Sequence, residues 1–193
     1  VAMVVGAVTP ILLWMDPSQD VRCLLYGIGL ILFFGVWDDR ATLDYRIKFL
    51  GQLLAIAVVV FYGGVLIRYI PFHSFEPIPD YIAYPLTVFA LLGVTNAINL
   101  SDGLDGLAAG TTFLSVGMLS LMAFMVHDLD LFMLAMALLG CIIGFLRFNT
   151  HPAQIFMGDG GSQFLGFAAG VLVIQLTQKS GTILSPAMPL LLL

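Results

Sequence analysis

Carboxylate side chains gather in three short polar segments of an otherwise apolar chain. The segments are WDDRATLDYR at 37–46, NAINLSDGLDG at 96–106 and RFNTHPAQIFMGDGGS at 147–162. Their aspartates are Asp38, Asp39, Asp44, Asp102, Asp105 and Asp159. Converging carboxylates with few cations repel one another, and a divalent cation relieves that repulsion. Mg²⁺ prefers oxygen ligands, usually one or two carboxylates together with substrate phosphates. The segments therefore predict a Mg²⁺–phosphate site, at which Mn²⁺ would be a substitute.

Two adjacent aspartates, Asp38 and Asp39, end an apolar run in the first segment. Neighbouring side chains on a helix diverge by about 100°, so we expect one carboxylate to hold metal and the other to act as a base or to contact substrate. The alternative is a solvated helix end. Lys48 either binds a phosphate as a point charge or snorkels to the membrane surface. Asp44, four residues before it, is interpreted as its ion-pair partner.

Amide and acid side chains recur at every third position of the second segment, at Asn96, Asn99, Asp102 and Asp105. On a helix they would form one slanted polar stripe. Such a stripe is costly beside lipid unless it faces a cavity or a ligand. The stripe therefore predicts a binding surface, and the alternative is a polar contact between packed helices.

In the third segment, Asp159 follows Gly158 and precedes two further glycines, just before an apolar run. Backbone N–H groups at a helix start can hold an anion, and the carboxylate can hold a metal ion. Asn149 and His151 precede Pro152 on the same loop. His151 either contacts substrate or is an ordinary loop residue.

The composition places these segments in a membrane protein. Of 193 residues, 60% are hydrophobic and 10% charged, and the mean hydropathy is +1.04. A soluble chain is about 45–50% apolar and about 25% charged, so a water-soluble enzyme is excluded. A net charge of −5 with seven Lys and Arg residues excludes nucleic acid as a partner. The two cysteines lie inside apolar runs and make no disulfide framework.

The apolar runs predict an all-α, polytopic integral membrane helix bundle with about seven or eight transmembrane helices. The runs lie at roughly 1–15, 21–37, 47–67, 81–98, 106–126, 131–147, 162–177 and from about 186. Because the chain opens and closes inside apolar runs, we expect residues 1–193 to be a single transmembrane catalytic domain truncated at both ends.

Counting the runs predicts that all three polar segments lie at one face of the membrane, since each follows an even-numbered span. The basic residues of that face are Arg40, Arg46, Lys48 and Arg147, and those of the other face are Arg22, Arg68 and Lys179. This excess of one positive charge slightly favours a cytoplasmic position for the polar segments.

Taken together, the segments resemble the polyprenyl-phosphate N-acetylhexosamine-1-phosphate transferases. The matching parts are WDDR followed by Lys48 and Gln52, then NAINLSDGLDGLAAG at 96–110 and FNTHPAQIFMGDGGSQFLG at 148–166. They occur in the family's order and spacing. SPAMP at 185–189 is more similar to the GlcNAc-phosphate branch than to the phospho-MurNAc-pentapeptide translocase. Two further family motifs, a basic one upstream and a histidine-rich loop downstream, are not in this sequence.

The resemblance implies a multi-pass enzyme of the bacterial inner membrane, with about ten or eleven helices and an active site facing the cytoplasm. It would transfer an N-acetylhexosamine 1-phosphate, with GlcNAc as the expected sugar, from a UDP-N-acetyl sugar to undecaprenyl phosphate in the bilayer. UMP would be released, as the first membrane step of cell-envelope polysaccharide synthesis. Mg²⁺ would be required. A homodimer is among the expected assemblies.

The same resemblance assigns roles to individual residues. Asp159 and Asp39 would hold the metal ion, and Asp38 would act as the base or activate the acceptor phosphate. The expected catalytic residues are Asp38, Asp39, Asp102 and Asp105. The expected substrate-binding residues are Lys48, Asn96, Asn99, Asn149 and Gly158. Direct attack by the lipid phosphate is preferred over a covalent aspartyl intermediate, because the acceptor is already anionic and needs only placing.

Three other classes of membrane protein use intramembrane or interfacial acids. An intramembrane aspartyl protease would need glycine where Phe156 stands, and the acid spacing of prenyl-chain transferases is not met by Asp38, Asp39 and Asp44. An ion or proton transporter remains the alternative, although it would place its acids near mid-span and often in inverted repeats.

Overall fold

The computed structural model describes residues 1–41, 43–69 and 77–179, and these residues form seven helices and no β-strand. The helices are α1 (Ala2–Trp14), α2 (Gln19–Ala41), α3 (Tyr45–Ala57), α4 (Asp80–Ser101), α5 (Leu107–Met125), α6 (Leu129–Asn149) and α7 (Gly158–Lys179). Helix α3 continues into a π-helical turn, Val58–Tyr62. The prediction of an all-α bundle is confirmed.

Six of these helices are long and apolar enough to cross a membrane: α2, α3 with its π-helical turn, and α4 to α7. Helix α1, which begins at the second residue of the given sequence, is a shorter apolar helix of 13 residues. The chain is therefore a polytopic membrane helix bundle. The predicted run from about 186, the SPAMP segment at 185–189 and all of residues 70–76 lie outside the described residues.

Helix α7 is the centre of the bundle, because every residue of its apolar window is buried inside the protein. It packs most extensively on α4 and α2, and also on α5, while α1 packs on α6 and α5 packs on α6. The outer helices keep large apolar side chains exposed on their other faces, among them Phe33, Phe89 and Leu114. A lipid environment accommodates these side chains without cost.

Glycines let α7 lie against its neighbours backbone to backbone. A Cβ atom on Gly35 of α2 would lie 2.3 Å from the Cα of Gly160, and one on Gly166 would lie 2.7 Å from the Cα of Thr95 in α4. Small residues at helix crossings are the usual means by which membrane helices approach closely. Both crossings lie within about one or two turns of the polar ends of α2, α4 and α7.

The polar segments meet at one end of the bundle. The carboxyl ends of α2, α4 and α6 and the amino ends of α3, α5 and α7 come together there, as the hydrogen bonds described below show. Other polar contacts form the opposite end, where Gln175 donates to Asp20 at 2.8 Å and Arg68 pairs with Asp80 at 2.9 Å. The predicted grouping of the three segments is confirmed.

Candidate active site

Lys48 links two of the predicted aspartates at the polar end of the bundle. Its Nζ lies 2.5 Å from Asp38 Oδ2 and 2.9 Å from Asp159 Oδ2. The Asp38 side chain is 5% exposed, whereas those of Lys48 and Asp159 are 34% and 39% exposed. The cation therefore neutralises a buried carboxylate on one side and reaches an accessible one on the other. Lys48 is thus held in an ion-paired cluster, and its ammonium does not extend freely to the membrane surface.

The amino end of α7 is joined to the second aspartate of the pair. Asp39 Oδ1 accepts a hydrogen bond from the backbone N–H of Asp159 at 3.2 Å. Gly158 has φ +68°, in the left-handed region, and a Cβ there would lie 3.1 Å from Asp39 Oδ2. Glycine is therefore required both by the backbone turn and by the approach of the carboxylate. Asp38 and Asp39 do diverge, since Asp38 Oδ1 accepts instead from Leu43 N at 2.7 Å.

Two residues of the predicted polar stripe lie next to Asp159. Asn99 Nδ2 donates to Asp159 Oδ1 at 3.4 Å and to Ser162 Oγ at 2.7 Å. Asp102 follows the end of α4 and lies half-buried. Burial, and then the negative charge of Asp159, raise the pKa of the Asp102 carboxyl above its ordinary value. Asp102, after the end of α4, and Asp159, at the start of α7, therefore influence each other electrostatically.

The remaining stripe residue at the amino end, Asn96, faces another helix. Its Nδ2 donates to Gln52 Oε1 at 2.9 Å and to Leu92 O at 2.8 Å, and its Oδ1 accepts from Gln52 Nε2 at 3.4 Å. Gln52 is buried and Asn96 partly buried. The polar contact between helices that the sequence left as an alternative therefore accounts for this pair.

The last stripe residue, Asp105, anchors the loop before α7 through two hydrogen-bonding contacts. Its Oδ2 lies 3.0 Å from His151 Nδ1 and accepts from Ala153 N at 3.1 Å. The hydrogen bond from Ala153 and the contact with His151 hold the pKa of the Asp105 carboxyl below its ordinary value. His151 therefore bonds an acid of the site.

Asn149 lies buried between two loops. Its Oδ1 accepts from Gly106 N at 3.0 Å and its Nδ2 donates to Ile155 O at 2.9 Å. It thereby joins the start of α5, where Gly106 has φ +73°, to the loop that carries the Gly158–Asp159 turn. This geometry positions the loop, and the predicted contact of Asn149 with substrate stays a prediction.

One sequence interpretation is wrong, and one residue of the site was missed. Asp44 does not pair with Lys48; it caps α3 by accepting from Arg46 N at 3.4 Å. Ser162, buried against Asn99, was missed because a serine where the polar segment meets the apolar run carries no distinctive signal.

The donors at this end suit a hard divalent cation. Asp39 and Asp159 are joined at the start of α7, and Asn99 adds an amide. Within residues 1–41, 43–69 and 77–179, no three acidic, histidine or cysteine side chains converge on one point. Mg²⁺ needs fewer, because it is commonly bound through one or two carboxylates plus substrate phosphates and water. The oxygen-only donor set therefore fits Mg²⁺ or Mn²⁺ bound together with a phosphate ligand.

Comparisons with known proteins match the chain to one family and to relatives with two different names. A family model described as glycosyl transferase family 4 matches residues 21–177. A probable undecaprenyl-phosphate N-acetylglucosaminyl 1-phosphate transferase of Bacillus subtilis (strain 168) is 37% identical over 175 residues, which is 90% of this chain and 49% of that protein.

Two other relatives carry a different name. A phospho-N-acetylmuramoyl-pentapeptide-transferase of Wolbachia pipientis wMel is 30% identical over 93% of this chain and 59% of its own length. The protein of that name from Bacillus anthracis (strain A0248) is 34% identical over the same shares. The chain thus spans between 49% and 59% of the length of these relatives.

Proposed function

The chain belongs to glycosyl transferase family 4, and from that premise we propose that the whole protein transfers N-acetylhexosamine 1-phosphate from a UDP-N-acetyl sugar to undecaprenyl phosphate. The observation that carries the proposal is the Asp38–Lys48–Asp159 cluster, which combines a buried acid, a cation and an accessible acid at one end of a membrane bundle. A phosphate entering from water and a phosphate borne by a lipid can both reach such a position. The family assignment favours this activity over ion transport.

In the proposed reaction, an oxygen of the lipid phosphate attacks the phosphorus that carries the sugar. The bond from that phosphorus to the bridging oxygen breaks, and UMP leaves with the electron pair. Asp38 takes the proton of the acceptor phosphate if that phosphate is monoprotonated. Lys48 places the negative charges by its own positive charge, and Asn99 orients the Asp159 carboxylate. Direct attack stays the preferred course over a covalent aspartyl intermediate.

The metal assignment belongs to the same proposal. Asp159 and Asp39 would hold Mg²⁺, and when bound the ion would neutralise the diphosphate and the leaving UMP. Gly158 and the α7 amino end would meet a phosphate oxygen through backbone N–H groups. Asp102 and Asp105 would line the nucleotide-sugar side of the site.

The finer statements of place and partner are also proposed. The site faces the cytoplasm of the bacterial inner membrane, where UDP-sugars are made, and the small excess of positive charge at that end supports this orientation. GlcNAc is the proposed sugar because the B. subtilis relative is named for it. A homodimer stays a prediction.

The test uses the full-length protein in membranes with undecaprenyl phosphate and a panel of radiolabelled UDP-N-acetyl sugars, with and without Mg²⁺. We expect Mg²⁺-dependent label in the lipid fraction together with release of UMP. Release of UDP would mean transfer of the sugar without its phosphate and would contradict the proposal. No label from any sugar, with the protein shown to be folded, would favour the transporter alternative.

A further inference from the structure

One amide pair next to the cluster has no role in the reaction described above. Gln52 of α3 and Asn96 of α4 exchange two hydrogen bonds, at 2.9 and 3.4 Å, and Gln52 is 3% exposed. Asn96 also donates to Leu92 O at 2.8 Å, so both of its N–H donors are used. An amide whose donors are satisfied inside the protein has little left to offer a ligand.

The position of this pair along the two helices matters. Gln52 lies one turn beyond Lys48 on α3, and Asn96 lies one turn before Asn99 on α4. The two outer residues, Lys48 and Asn99, both bond the carboxylate of Asp159, at 2.9 and 3.4 Å. The amide pair therefore lies directly beneath the two groups that hold Asp159.

Helix α3 has few other means of keeping its register against α4. It packs more extensively on α2 than on α4, and its Ile47, Phe49, Leu50 and Leu53 are exposed. Apolar side chains that face lipid do not fix the register of a helix along its axis. A reciprocal pair of amide hydrogen bonds in an apolar environment does fix it. If α3 slid by one residue along its axis, Lys48 would move by about 1.5 Å. Its Nζ would then lose contact with one of the two carboxylates, Asp38 or Asp159.

We propose that Gln52 and Asn96 are positioning residues: they lock α3 to α4 so that Lys48 is held on Asp38 and Asp159, and Asn96 itself does not touch substrate. The inference rests on the proposed transferase function for its kinetic test. The first measurement below is independent of that function.

The first measurement is the acetylation of Lys48 by an amine-reactive ester in the full-length protein, quantified by mass spectrometry as the acetylated fraction of the Lys48 peptide. An ammonium held by two carboxylates reacts slowly, so Gln52→Met is expected to raise Lys48 acetylation by about threefold or more. The matched control is Gln175→Met, which removes the interhelical hydrogen bond of another buried glutamine, the one to Asp20. An unchanged rate in Gln52→Met, or an equal rise in Gln175→Met, would overturn the proposal.

The second measurement compares kcat/KM of single and double variants in double-mutant cycles. Gln52→Met and Asn96→Leu should each lower kcat/KM by about tenfold, and the double variant should be no worse than either. In a Lys48→Gln background, Gln52→Met should add a loss of less than about twofold. A much larger loss for Asn96→Leu, or additive losses, would assign Asn96 to substrate. If the wild-type protein releases no UMP, the transferase proposal fails. Lys48 acetylation still tests whether the Gln52–Asn96 pair positions Lys48.

Discussion

A Cβ atom on Gly35 would lie 2.3 Å from the Cα of Gly160, so α2 and α7 touch through their backbones. This crossing lies one turn before Asp38 and Asp39 and one residue after Asp159. It brings the end of one helix onto the start of another, and the Asp39–Asp159 hydrogen bond at 3.2 Å depends on it. The packing of two glycines thus sets the geometry of the site.

The first prediction concerns this crossing. Gly35→Ala should lower the free energy of unfolding by about 1–3 kcal/mol, as overpacking does, and should reduce transfer because Asp38 and Asp39 move away from α7. Thermal unfolding in detergent and the UMP-release assay measure the two effects. Gly29→Ala on the same helix is the control, since a Cβ there has no neighbour within 4 Å. Equal behaviour of the two variants would contradict the argument.

The second prediction concerns the proposed metal ligand. Asp159→Asn keeps the shape of the side chain and removes its charge, so Mg²⁺-dependent turnover of the full-length enzyme should fall by about 10²-fold or more. Asp16→Asn, in the loop after α1 at the opposite end, should leave turnover unchanged. Wild-type activity in Asp159→Asn would refute the metal assignment.

The third prediction concerns Lys48. Lys48→Gln should raise KM for both substrates by about tenfold, because the charge that places the phosphates is lost and Asp38 is left buried without its cation. Arg22→Gln serves as the control, since Arg22 bonds Pro17 O at the other end of the bundle. Unchanged KM values for both substrates would show that Lys48 serves only the packing of the helix ends.

The sequence was sufficient to predict the bundle and the meeting of its polar ends. Hydropathy is a local property, and the three polar segments stand at helix ends, so counting spans placed them together. The partners of individual side chains were not predictable in this way. Lys48 and Asp159 are 111 positions apart, and their contact depends on how α3 and α7 are rotated and how closely α2 and α7 cross.

Residues with two plausible roles were the hardest to predict. Asp44 has a lysine four positions away, yet it caps α3, because the Asp38 and Asp159 carboxylates are nearer to Lys48 in space. Asn149 belongs to a polar segment, yet its amide is occupied by two backbone groups. In both cases the competing partner comes from the tertiary structure.

The fourth prediction concerns the pH dependence of stability. The pKa of Asp102 is raised in the folded state, so this residue favours folding most below its ordinary pKa of about 3.9 and loses that contribution as pH rises through the raised value. At neutral pH Asp102→Asn should therefore raise the thermal midpoint by a few degrees, and the gain should disappear as pH falls.

Asp105→Asn supplies a comparison of opposite sign. The pKa of Asp105 is lowered, so its contribution to stability is present above the ordinary pKa and is lost as pH falls through the lowered value. This variant should be less stable than wild type at neutral pH, with the difference shrinking in acid. Thermal unfolding between about pH 4 and pH 8 measures both variants, and equal signs would contradict the electrostatic interpretation.

The fifth prediction concerns topology. The test uses a full-length protein in which every native cysteine, Cys23 and Cys141 among them, has been replaced. Single cysteines introduced at Leu104 and Leu129 should then react with a membrane-impermeant maleimide from opposite sides of the membrane. Leu104 lies in the loop between α4 and α5 and Leu129 at the start of α6, and their side chains are 69% and 65% exposed. The two positions are separated by α5 alone, which is long enough to span the bilayer. A cytoplasmic site would be established if Leu104→Cys is labelled only in inside-out vesicles and Leu129→Cys only in right-side-out vesicles. Labelling of both from the same side would contradict the span count, and the reversed pattern would place the site outside the cytoplasm.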